Sequence, residues 1–166
     1  MQVTYDTRMD ILLEELGIAQ KEKFLNPVAD LTPDSFADAA GYKQYGLPRP
    51  GMMFLGYPVI SMIEKTHGGS RRNLLGEENE NDPVVQTLYS VERQVTADYP
   101  PTFIWQCDGD KSVPVEHSGS MVRVLQANQV PYRHEEFHAA AHSWGLGTGT
   151  AAEGWLDRAV KFWDEL

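Results

Sequence analysis

Thr102-Phe103-Ile104-Trp105-Gln106-Cys107, halted by the polar Asp108-Gly109-Asp110, is the stretch that decides the fold. A continuous apolar run stopped by turn residues marks a strand buried on both faces, because a strand with one wet face alternates apolar and polar side chains. Upstream, Met52-Met53-Phe54-Leu55-Gly56-Tyr57 has the same character between Pro50-Gly51 and Pro58. Downstream, Tyr132 to Phe137 reads as a third strand, more polar and so suited to a place nearer a sheet edge. Between the second and third strands, Ser118, Met121, Val122 and Leu125 mark one face of a helix of about a dozen residues. After the third, Trp155, Leu156, Ala159, Val160 and Trp163 mark the face of another. Strand, helix, strand, loop and helix in that order imply right-handed crossovers. The expected class is α/β, with about three parallel strands flanked by helices.

The flanking sequence is less regular. Residues 7–16 read as a helix, with Met9, Leu12, Leu13 and Leu16 on one face, Thr7 and Asp10 in a capping-box pattern and Gly17 suited to its end. From Asn26 to Gly51, four prolines (Pro27, Pro33, Pro48 and Pro50) with Gly41 and Gly46 forbid long regular structure and predict a looped excursion. A helical turn from Pro33 to Ala40, capped by Thr32, fits inside it. Residues 61–99 are polar, carry the solvated acidic run Glu77-Glu78-Asn79-Glu80-Asn81-Asp82, and predict short helices around Pro83 to Leu88 and Ser90 to Val95. No repeat and no second domain is apparent, so residues 1–166 are expected to form one domain.

The chain has 166 residues, 42% of them hydrophobic, with 14 basic against 24 acidic side chains and a formal charge of −10. Four Trp, seven Tyr and six Phe are enough for a core, which argues against disorder despite the charge. An acidic surface without a Lys/Arg-rich run repels phosphate backbones and anionic lipid, so nucleic acid and membrane partners are not expected. The single cysteine, Cys107, cannot form an intrachain disulfide, which suits a reducing compartment. MQVTYDTRMD carries no signal-like pattern and no window is apolar enough to span a bilayer, so a cytoplasmic location is the expectation.

In an open parallel sheet, ligands meet the loops at the carboxyl ends of the strands. Two such loops carry titratable residues: Cys107 to Pro114, and Phe137 to Gly145. A carboxylate that fixes the tautomer of an imidazole, so that the imidazole can take a proton from a nucleophile, is the second half of a catalytic triad. Asp110 and His142 follow consecutive strands, and that placement lets them meet. By itself the pattern is also met in ordinary turns and surface loops. Cys107 ends an apolar strand beside two aspartates, which disfavours its thiolate and makes it a structural residue. His67, His117, His134 and His138 fall into no metal-ligand spacing, so neither a metal nor another cofactor is expected.

Four further segments sharpen the reading: Gly56-Tyr57-Pro58-Val59-Ile60-Ser61, His67-Gly68-Gly69-Ser70-Arg71-Arg72-Asn73-Leu74-Leu75-Gly76, Pro100 to Trp105, and Asp110-Lys111-Ser112-Val113-Pro114-Val115. In this order they resemble the C-terminal half of an α/β-hydrolase, and more narrowly the bacterial carbohydrate esterases of acetyl-xylan, feruloyl esterase or sugar-hydrolase type. The resemblance runs from about Met9 to Trp163 apart from the Pro-rich excursion. It implies that Asp110, in Asp-x-x-Val-Pro, is the triad acid and that His142 is the general base. The segment of His67 and Ser70 would then be a substrate-side or structural loop. Trp144, like Trp105, suits core or rim packing, with contact to substrate from beside His142 as the alternative.

Two departures stand out. Ala140-Ala141-His142-Ser143 replaces the family's Gly-Gly-His-Gly style loop, keeping the space but losing glycine's φ freedom. The chain also contains no Gly-x-Ser-x-Gly, the elbow that presents the nucleophile and part of the oxyanion hole. In the resembled family that elbow precedes the segment resembling Asp10 to Gly17, so the serine is expected upstream of Met1. Ser70 lacks the strand-to-helix context of a nucleophile. Ser112 suits a helix cap, and Ser143 a hydrogen-bonding role in its loop. A small ester substrate, including acyl groups on carbohydrate, is the expected ligand. The strand edge that would pair with the nucleophile strand is expected to be covered by a second copy or a complementing chain.

Overall fold

β1 (Met53–Gly56), β2 (Thr102–Cys107) and β3 (Tyr132–Phe137) form a parallel sheet in the order β1-β2-β3. The computed structural model describes residues 51–166, so the helix expected over 7–16, most of the 26–51 excursion and the turn at 33–40 lie outside the described residues. Register is continuous across the sheet: Thr102 pairs with both Met53 and Tyr132, and Trp105 with both Gly56 and Glu135. β2 lies between the other two and all six of its side chains are buried, as its unbroken apolar run demands. β3 is half-buried, in keeping with its polar composition.

The two faces of β2 feed two half-cores. Ile104 packs with Ile60, Met121, Leu125 and Val130 on one side. Phe103, Trp105 and Cys107 pack with Ala152 and Ala159 on the other. Four helices and a 3₁₀ turn complete the described fold: α1 (Gly68–Leu75), α2 (Pro83–Leu88), the turn Val91–Arg93, α3 (Glu116–Ala127) and α4 (Trp155–Asp164). α3 brings Met121, Leu125, Ser118 and His117 into the first half-core. α4 docks on the opposite face, where Trp155 lies 6.2 Å from Phe103 and 5.6 Å from Trp105 between ring centroids. Arg158 of α4 holds Glu135 of β3 by a bidentate pair at 2.8–3.0 Å.

Several expectations need correction. α1 was invisible to periodicity, since Gly-Gly-Ser-Arg-Arg-Asn-Leu-Leu buries only Leu75; its start is set by His67, whose ring accepts the Ser70 amide. α2 matches its predicted range, with Asp82 accepting the Val84 and Val85 amides and Pro83 in the first turn. The helix expected over Ser90 to Val95 shrinks to three residues, because the buried Ser90 hydroxyl bonds Gln86 O and Met62 N instead. α3 begins after Val115 without a side-chain cap, so Ser112 is not a cap residue. Along α4 only Ala159 is fully buried, while Leu156, Val160 and Trp163 of the predicted face are 38, 42 and 51% exposed.

Candidate active site

All three strands end at the same side of the sheet, because they run parallel. Tyr57 follows β1, Asp108-Gly109-Asp110 follows β2, and the segment His138 to His142 follows β3. The last two loops are laced together. Asp108 N donates to Phe137 O at 3.0 Å, extending the ladder by one residue, and Gly109 N donates to Ala139 O at 3.1 Å. Gly109 suits that approach: a Cβ would stand 3.0 Å from both Ala139 O and Ala140 Cα, so a larger residue would push the two loops a few tenths of an ångström apart.

That closure delivers His142 to Asp110, with Nδ1 and Oδ2 2.6 Å apart. The Asp110 side chain is fully buried, whereas the imidazole is 28% exposed. A buried acceptor behind a half-open ring can hold Nδ1–H and leave the other nitrogen accessible. Burial pushes the Asp110 carboxyl upward, but the amides of Val113 and Ser112 and the imidazole outweigh it and hold the pKa below its ordinary value. Those amides donate to Oδ1 at 3.0 and 2.8 Å, so both carboxylate oxygens are engaged.

Gln106 is a residue that sequence reading passed over as part of an apolar strand. Its amide donates to Val113 O at 2.6 Å and reaches Asp110 Oδ2 at 3.4 Å, while its carbonyl accepts the Ser118 hydroxyl at 2.5 Å. One buried amide therefore ties β2 to α3 and to the loop of Asp110. A polar side chain at the end of a fully buried run was the available signal. Also unforeseen is a second pair: Asp108 Oδ2 lies 2.6 Å from His138 Nδ1, and Asp108 Oδ1 accepts the Ala139 amide at 3.1 Å. The hydrogen bond to His138 holds the Asp108 pKa down, and the same contact raises that of the exposed His138.

Other predicted residues lie as follows. Trp144 is half-buried against the second half-core, in the loop of His142. His67 and Ser70 contact each other, the imidazole Nδ1 receiving the Ser70 amide at 3.2 Å with the hydroxyl 3.0 Å away; among the described contacts neither reaches Asp110 or His142. Ser143 takes the left-handed conformation, φ 64°, that glycine would adopt more easily. Cys107 is buried, and burial together with Asp110 and Asp108 pushes its thiol pKa up. A cleft of about 430 Å³ beside α3, lined by Lys65, Glu92, His117 and Arg123 among others, includes neither Asp110 nor His142. Among the described residues no cluster of three metal-ligating side chains occurs.

Comparison with known proteins follows the same lines. Over 128 residues the chain is 34% identical to endo-1,4-beta-xylanase B of Butyrivibrio fibrisolvens, covering 77% of this chain and 19% of the relative. Over 73 residues it is 40% identical to an acetylxylan esterase of Xylanibacter ruminicola, covering 43% of this chain and 15% of that one. The crystal structure of an acetyl ester-xyloside bifunctional hydrolase from Caldicellulosiruptor lactoaceticus superposes with a TM-score of 0.65 at 36% identity, over 70% of this chain and 43% of the other. The chain thus spans less than a fifth of the length of these two curated relatives and under half of that structure. The prolyl oligopeptidase family model matches residues 57–166, and with its parallel sheet and laced carboxyl-end loops the chain belongs to that family of α/β-hydrolases.

Proposed function

We propose that the protein carries the acid and base of a serine esterase acting on small carboxylic esters, acyl groups on carbohydrate foremost. The observation that carries this reading is the 2.6 Å contact between a fully buried Asp110 carboxylate and a half-exposed His142. Asp110 orients the imidazole and stabilises it when charged; His142 acts as base toward a serine and then as acid toward the leaving alkoxide. The chain has no Gly-x-Ser-x-Gly, so the serine that forms the acyl-enzyme belongs to polypeptide outside these 166 residues. Similarity to an acetylxylan esterase and an acetyl ester-xyloside hydrolase supports the choice of substrate class. In this reading Trp144, His67 and Ser70 line the substrate side, and no metal or other cofactor takes part.

Two accompanying proposals concern setting. Among the described residues β1 pairs only with β2, which favours a second copy or a complementing chain along its free edge. One cysteine, and no described helix long and apolar enough to cross a membrane, favour the cytoplasm over a membrane or an oxidising compartment. A second reading, a non-catalytic binding or assembly module that keeps the fold without turnover, draws on the missing serine elbow.

Hydrolysis of p-nitrophenyl acetate and of acetylated xylo-oligosaccharides separates the two. With the polypeptide that carries the serine present, the esterase reading expects turnover that falls on the order of 10²–10⁴-fold in both Asp110→Ala and His142→Ala and survives Ser70→Ala. Turnover no higher than buffer from a folded protein with that serine present favours the assembly module.

A further inference from the structure

Tyr57 stands where β1 meets its loop, with φ at 43°. Left-handed backbone is costly for a bulky side chain and persists only where the surroundings impose it. Glycine takes the same conformation freely, and the chain places glycine one residue earlier instead. Gly56 has its own reason: a Cβ there would meet the Trp105 indole at 3.1 Å. The strained residue is locked by a 2.7 Å hydrogen bond from Tyr57 N to Trp105 O. What the side chain does in that position is specific. Its ring meets Trp105 edge-on at 4.9 Å between centroids and 87°, and meets the His142 imidazole at 4.9 Å and 65°.

One hydrogen bond holds an imidazole along a line and leaves its plane free to swing; a second contact on the ring removes that freedom. Asp110 supplies the first, from the loop after β2, and Tyr57 the second, from the end of β1. We propose that Tyr57 is a positioning residue for His142, and that the left-handed backbone at residue 57 is retained because it aims the phenol ring at the imidazole. The role rests on the assignment of Asp110 and His142 as acid and base. Tyr57 itself transfers no proton in it; the ring, not the hydroxyl, is the working part.

Imidazole nitrogen spectra of the ¹⁵N-labelled full chain test this, with the His142 signals assigned through His142→Gln. In the wild type His142 is expected as a single Nδ1–H tautomer whose proton exchanges slowly with water. Tyr57→Phe keeps the ring and should reproduce that signature. Tyr57→Gly accepts the backbone angle while removing the ring; it should mix the tautomers and speed exchange of the Nδ1 proton about 10-fold or more, with the β1 and β2 amide signals unchanged. Tyr57→Leu, which keeps apolar bulk, gives the same reading should the glycine variant not fold. A folded Tyr57→Gly or Tyr57→Leu protein with wild-type tautomer and exchange overturns the proposal. Asp110→Asn is the separate control: if it leaves the His142 tautomer unaltered, the acid and base assignment falls, and the role of Tyr57 with it.

Discussion

Asp110 is set by two opposed forces. Full burial of its side chain disfavours the charge, and three hydrogen-bonding partners restore it: the Val113 amide, the His142 ring and the Ser112 amide. The carboxylate is thereby ionised without being solvated, which is what an acid that orients a neutral imidazole requires. Gln106 underpins this from beneath, since its amide is bonded to Val113 O and to Ser118 Oγ inside the core. Gln106→Leu keeps the volume but leaves those two groups unpaired, so it should cost about 1–3 kcal/mol in urea unfolding, beyond what a surface substitution does. It should also loosen the segment Ser112-Val113. Unfolding free energy unchanged within a few tenths of a kcal/mol would show that water or a shifted side chain replaces the network. Ser143 makes the converse point, carrying a left-handed angle of 64° without glycine.

At the scale of elements, β2 organises everything else. Its six buried side chains set the register of both neighbours and the place of both half-cores, and its end launches Asp108 and Asp110. β1 is different: its four residues are only half-buried and, among the described residues, it pairs on one side. Nearby, Phe54 packs edge-on against Trp163 of α4 at 6.3 Å, and Trp163 remains 51% exposed. A half-paired strand beside apolar side chains invites association. Sedimentation across a concentration series should show a concentration-dependent rise in mass; a clean monomer at high micromolar concentration would remove the proposal that a second copy covers this edge.

For the molecule as a whole, the titrating groups predict how stability follows pH. Burial holds the half-buried His134 imidazole below its ordinary 6.5 against the opposing pull of Glu136. As pH falls below that value the unfolded chain takes up the proton first, so stability declines. Asp110, held below its ordinary 3.8, contributes fully above that value and loses its contribution as pH falls through its native pKa. His138 acts in the other direction, since its raised pKa gives a contribution that is complete below 6.5 and lost as pH rises through the raised value. Thermal melts against pH should therefore show an acid limb beginning near 6.5, and His134→Gln should flatten its upper part while leaving the lower part. An unaltered limb in that variant would assign the loss to other groups.

β2 was legible because burial on both faces leaves a mark in composition, and β3 because turn residues bound a more polar run beside it. The meeting of Asp110 with His142 was legible because parallel strands must end on one side. α1 was not, since a polar helix with a single buried side chain has no periodic stripe, and the face of α4 was misread because amphipathic spacing shows which residues share a face but not what covers it. Tyr57, Gln106 and the Asp108–His138 pair were beyond the sequence for one reason. Each acts through a contact between segments distant in the chain, whose closeness depends on how tightly the loops pack: on Gly109 admitting Ala139 and Ala140, and on an angle at residue 57 that no propensity predicts. The sequence by itself determined a parallel sheet with Asp110 and His142 on the loops at its carboxyl ends; only the tertiary structure decided how that imidazole is held, because ring planes and buried hydrogen bonds depend on distances that linear spacing does not encode.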